Sequence, residues 1–121
     1  MEKSRYDVGV DNLEKIIGEA GNETRKILRG DFDDVEKYIL EFVFGDIYNR
    51  PGLDLKQKEL ITLATLIAQG AAESQIMVHL KSALNLGLSK EELIELIIQC
   101  IPNVGFPKVL NAISIAKKVF Q

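Results

Sequence analysis

The sequence predicts an all-α fold: a compact domain of about six helices. Three observations carry this. Apolar residues recur at intervals of three and four through most of the chain. Three capping signatures stand before apolar runs, Asp33-x-x-Glu36, Asp54-x-x-Gln57 and Ser89-x-x-Glu92. No stretch alternates strictly enough to demand a strand. At 121 residues the chain reads as one domain, 1–121, long enough for a modest core.

The first helix is expected from about Tyr6 to Ile17, stopped by Gly18, with a loop at Gly21 and Asn22 and a short helical turn over 23–29 ending at Gly30. Asp33 then caps a helix on which Val35, Ile39, Phe42 and Val43 share helical spacing. It ends near Tyr48, where Arg50-Pro51-Gly52 forces a turn. Asp54 opens a helix to Gln69, closed by Gly70 as a C-terminal glycine. Its stretch Leu60–Ala68 is apolar except for Thr62 and Thr65, so it should be buried on most sides. In so small a protein that implies another subunit among its neighbours. Residues 72–86 form a helix carrying the only histidine, His79, and close at Gly87. Ser89 opens the next helix, which Pro102 must end or kink. Gly105-Phe106-Pro107 begins the last, with Pro107 suited to the first helical position.

Composition narrows the function classes. Apolar residues make up 46% and charged residues 27%, ordinary for a soluble globular protein. A net charge of -3 offers no basic patch, so nucleic acid is not an expected partner. The acidic excess lies in residues 1–52. No apolar run approaches the roughly 18 residues of a membrane span, so no membrane partner is expected. Met1-Glu2-Lys3-Ser4-Arg5 is polar, without an apolar signal core, and a cytoplasmic location is the expectation. A lone Cys100 and a lone His79 cannot build a zinc site from soft ligands, and no metal is expected. Cys100 sits in the apolar run 97–101 and reads as a small buried hydrophobe.

Two side chains could carry acid–base chemistry. His79 lies at the border of the face made by Ile76, Leu80 and Ala83. A neutral imidazole there can exchange a proton near pH 7; it can equally be a half-buried structural histidine. Glu59 lies in the second turn of the mostly apolar helix. It is either a solvated partner of a neighbouring lysine or a carboxylate facing His79. Arg50, before its Pro-Gly turn, could hold a carboxylate bidentately or cap a helix end. Tyr48, Asn49 and Asn85 are weaker candidates. Asn85 falls on a different side of its helix from His79, about 600° round at 100° per residue.

Four stretches together resemble the carboxymuconolactone decarboxylase family. They are Gly45-Asp46-Ile47-Tyr48-x-Arg50-Pro51-Gly52-Leu53, Glu59-Leu60-x-Thr62-Leu63-Ala64, His79-x-x-x-Ala83-Leu84-Asn85-x-Gly87 and Gly105-x-Pro107. The resemblance runs from Tyr6 to Phe120. It implies an alkylhydroperoxidase D-like all-α fold that is an obligate oligomer, a hexamer built as a trimer of dimers. It also implies a small carboxylic-acid substrate and a cofactor-independent lyase reaction. The catalytic residues would be His79 as proton donor and Glu59 as its orienting partner. Arg50, Tyr48 and Asn85 would bind substrate. The wider superfamily also holds a Cys-x-x-Cys-x-x-x-His peroxidase. Here its cysteine positions are Ala72 and Gln75, so dithiol chemistry by that site is excluded. Pro102-Asn103-Val104 departs from the family by interrupting a helix, and positive charge near the implied site is limited to Arg50, Lys81 and Lys108. The leading expectation is a carboxy-lyase acting on a carboxymuconolactone-like lactone or keto acid. The alternative is a non-catalytic oligomeric protein of the same fold that binds a small ligand.

Overall fold

The computed structural model describes residues 2–121. Among these, all regular structure is helical: eight α-helices and one π-helix. They form two compact units, one ending at Asp54 and the other spanning Leu55–Gln121.

In the N-terminal unit, α1 (Arg5–Ile16) starts where the Ser4 hydroxyl accepts a hydrogen bond from the Asp7 N–H at 3.0 Å. Gly18, at φ +71°, turns the chain directly into α2 (Glu19–Leu28). The expected loop at Gly21 and Asn22 does not form, because Gly21 is a contact residue inside α2. A Cβ there would come within 2.9 Å of the Leu13 side chain. Nor does Asp33 cap the next helix. It is the first residue of α3 (Asp33–Tyr38), and its carboxylate instead accepts from the Gly30 N–H at 2.9 Å. Glu36 is drawn into a different network: it accepts from the Tyr6 hydroxyl at 2.9 Å and pairs with Arg25 at 3.5 Å.

α3 runs without a break into a π-helix, Ile39–Ile47. The wider winding is visible where the Tyr48 N–H reaches back five residues to the Val43 carbonyl, at 2.9 Å. Asn12 steadies this segment by donating to the Phe44 carbonyl at 2.7 Å. α1 packs on it backbone to backbone. A Cβ on Gly9 would lie 1.8 Å from the Leu40 carbonyl oxygen, and one on Gly45 would lie 2.7 Å from that of Arg5. Leu13, Ile16, Leu40 and Phe44 are the buried apolar side chains of the unit.

The C-terminal unit contains α4 (Leu55–Gln69), α5 (Glu73–Asn85), α6 (Lys90–Gln99), the short α7 (Ile101–Val104) and α8 (Phe106–Val119). α4 ends at Gly70, φ +67°, where the Ala71 N–H bonds to the Leu66 carbonyl, six residues to one. α5 closes the same way through Gly87 and the Leu88-to-Ala83 bond. At Ser89 the capping box forms in full, Ser89 receiving the Glu92 N–H while Glu92 receives that of Ser89. α6 stops at Gln99, three residues before Pro102, which is the second residue of the short α7. Pro107 occupies the second position of α8, after Phe106, rather than the first. One core joins these helices, from Leu63 and Ile67 through Ile76, Leu80, Leu93 and Ile97 to Val109, Ala112 and Ile115.

Candidate functional site

On α4 the residues Glu59, Leu63 and Ile67 follow one another at intervals of four and are 0%, 0% and 1% exposed. The stripe faces the core, and its N-terminal member is an acid. On α5 the core-facing residues are Ile76, Leu80 and Ala83, with His79 on their edge. α4 and α5 pack against each other as consecutive helices joined by a short turn. This contact brings Glu59 Oε1 against His79 Nδ1. The acid is wholly out of water, whereas the His79 side chain keeps 13% of its exposure.

The pairing constrains the imidazole. A bare ring nitrogen and a bare carboxylate oxygen would repel, so the contact holds a proton. With the carboxylate ionised, that proton is on Nδ1, which fixes the tautomer and leaves Nε2 as the nitrogen that exchanges protons with anything else. Nearby hydroxyls are occupied locally: Thr62 donates to the Lys58 carbonyl at 3.0 Å and Ser82 to the Val78 carbonyl at 2.9 Å. Ser82, 2% exposed, is the other buried polar residue of the chain among those described. Sequence reading passed it over, since a serine paired to the carbonyl four residues back reads like any helical serine.

Asn85 is the exposed last residue of α5, about 9 Å along the axis from His79 and 240° round. Tyr48 and Arg50 belong to the N-terminal unit. The Tyr48 ring stacks on Phe44 with centroids 5.0 Å apart, and the exposed Arg50 donates its backbone N–H to the Ile47 carbonyl at 3.2 Å. Lys108 donates to the Ala68 carbonyl at 2.9 Å. Cys100 is buried, and burial raises its thiol above the ordinary range. Ala72 and Gln75 are exposed at the start of α5. Among the described residues, no three His, Cys, Asp or Glu side chains come close enough to hold a metal ion, and no helix is long and apolar enough to cross a membrane.

Residues 33–118, which include both members of the pair, match the carboxymuconolactone decarboxylase family. The chain is 32% identical over 121 residues to the 4-carboxymuconolactone decarboxylase of Acinetobacter baylyi, covering 99% of this chain and 90% of that protein. It is 39% identical over 83 residues, 68% of this chain, to an uncharacterized 15.0 kDa protein of Paracoccus denitrificans. It is also 31% identical over 86 residues, 71% of this chain, to the nitrosuccinic acid decarboxylase of Metarhizium robertsii. Those two matches span 62% and 59% of the relatives' own lengths. A helical fold with an acid and a histidine paired across α4 and α5, matched along nearly its full length by a decarboxylase, places this chain in the carboxymuconolactone decarboxylase family.

Proposed function

We propose that this protein is a cofactor-independent decarboxylase acting on a small lactone or keto acid of the carboxymuconolactone kind. The observation that carries the reading is the Glu59 carboxylate, buried and aimed at His79 Nδ1. Two relatives named as decarboxylases support it, one for 4-carboxymuconolactone and one for nitrosuccinic acid. Both substrate names describe acids with a built-in electron acceptor, a conjugated lactone in one and a nitro group in the other. In such acids the departing carboxylate leaves as CO2, and its bonding pair flows into the acceptor. No external electron sink is required. The protein must supply a proton to the carbon that lost the carboxylate.

His79 fills that role. Protonated on both nitrogens, the ring delivers its Nε2 proton to carbon while its Nδ1–H stays hydrogen-bonded to Glu59, and solvent returns a proton to Nε2. One proton is consumed and one CO2 released per turnover. Glu59 acts through the ring and is a positioning residue. Arg50 is proposed as a ligand for a substrate carboxylate on the family resemblance; an Arg50→Ala variant should raise KM more than it lowers kcat. We further propose that the working form is a homo-oligomer, a reading supported by apolar side chains left open on α4, such as Ile61 at 51% exposure.

NMR of the purified protein with carboxymuconolactone, and separately with nitrosuccinic acid, tests the reading. Wild type should release CO2 from at least one of them. A folded His79→Ala variant should lose about 10²–10⁴ in kcat. Glu59→Gln should lose activity and also change the pH profile, which a merely structural residue would not do. Full activity in His79→Ala rejects the proton-donor assignment. Absence of turnover on both acids by the native assembly rejects the decarboxylase reading in favour of a binding protein.

A further inference from the structure

The C-terminal unit carries a recess unconnected with the Glu59–His79 pair. Lys90, the first residue of α6, has its ammonium 5.7 Å from the centroid of the Phe120 ring, just past the end of α8. Both helices line one groove, so they run antiparallel, and the groove encloses about 460 Å³. Its floor is the buried pair Ile97 and Ala116. Its walls are Ile94, Ile98 and Ile113, left 36%, 48% and 37% exposed.

The charges are sorted along this groove. Lys90 and Lys117 both stand at the Phe120 end, beside Gln121, and none of the lining side chains is acidic. Neither lysine is in an ion pair among the described residues. The acids of α6, Glu91, Glu92 and Glu95, face a different cleft, lined also by α4 and α7. The far end of the groove, at Ile98 and Ile113, is apolar. The arrangement is thus cationic at one end and apolar along the rest, on a protein whose net charge is -3.

We propose that this groove binds an amphipathic anion, a free carboxylic acid with an unbranched chain. The carboxylate lies between Lys90 and Lys117, and the chain runs over Ile94 towards Ile98. Lys90 to Ile98 spans about 12 Å of helix, room for a chain of about eight to ten carbons. The volume falls within the roughly 300–1,000 Å³ of small-molecule sites. The ligand differs in kind from the compact acid proposed for the dyad, and the inference does not depend on that proposal.

Decanoate is the probe, titrated into the full chain and followed by calorimetry and by amide shifts in NMR. One site per chain is expected, with shifts centred on Ile94, Ile98, Ile113 and Phe120. Affinity should rise about two- to fourfold per methylene from hexanoate to decanoate. The double variant Lys90→Gln/Lys117→Gln should weaken decanoate about fivefold while leaving decanol unchanged. Ile98→Glu should abolish binding of both. The proposal is overturned if the lysine variant binds decanoate like wild type, or if the shifts centre on His79. It is also overturned if native protein takes up no decanoate, whether or not Ile98→Glu lowers the assembly's mass by light scattering. A lowered mass would mean a second copy fills the groove.

Discussion

Replacing Glu59 and His79 by leucine, singly and together, tests whether the two act as one unit. Glu59 is 0% exposed and the His79 side chain 13%. Removing one partner of a buried charged pair costs about 3–5 kcal/mol, because the other keeps its desolvation penalty. Residual exposure on the histidine side points to the lower end, so each single variant should lose about 3 kcal/mol. The double variant removes both polar groups and fills the site with apolar volume, continuing the Leu63–Ile67 stripe. Buried pairs exchanged for apolar residues of similar size are often neutral or stabilising. The double variant should therefore fall within about 1 kcal/mol of wild type, a coupling of about 5 kcal/mol or more in magnitude. Urea unfolding by circular dichroism measures this, at one protomer concentration, since association stabilises by mass action. The m-values should agree across the four proteins, and the double variant should be folded and inactive. Single losses that add to the double within about 0.5 kcal/mol would refute a coupled buried pair.

Other positions give sharp expectations. Gly9→Ala should destabilise by more than about 4 kcal/mol or prevent folding, because the new methyl meets the Leu40 carbonyl at 1.8 Å and both atoms belong to packed helices; thermal melting reads this, and a stable variant would mean α1 does not pack as described. Ser89→Ala should lose about 1 kcal/mol by removing one half of a complete capping box. Burial raises the Cys100 thiol, so less thiolate exists at a given pH than for a free cysteine. Its alkylation by iodoacetamide at pH 8 should be at least about tenfold slower than that of glutathione, and should recover in urea. Equal rates in native protein would mean the thiol is open to solvent.

The parts of the fold legible in the sequence are those set by local chemistry. Ser89-x-x-Glu92 closes its box, and Gly70 and Gly87 end helices because positive φ is needed there. The misread parts are set by contacts between helices. Gly21 looks like a loop residue but is needed where α2 meets Leu13. Asp33-x-x-Glu36 has capping spacing, yet Tyr6 and Arg25 claim Glu36 and the Gly30 N–H claims Asp33. The π-helix left no local signature. Its trace is indirect: Gly9 and Gly45, which let the backbones of α1 and the π-helix meet, and Asn12, which serves the Phe44 carbonyl.

Glu59 differs from these misreadings. Its burial was visible in principle, since it stands four residues before Leu63 and eight before Ile67, on the face that any helix of this pattern turns inward. What argued against burial was its charge, because glutamate is seldom fully buried unless paired. The partner that resolves the conflict, His79, lies on the next helix and is found only once α4 and α5 are folded together. A leucine at 59 would complete the stripe at lower desolvation cost. A fixed carboxylate there holds the His79 ring in one tautomer, which a leucine cannot do. The place where the pattern of α4 conflicts with its own chemistry is therefore the place where function is to be sought. If the leucine double variant folds as well as wild type, it will show that the core tolerates the pair and does not require it.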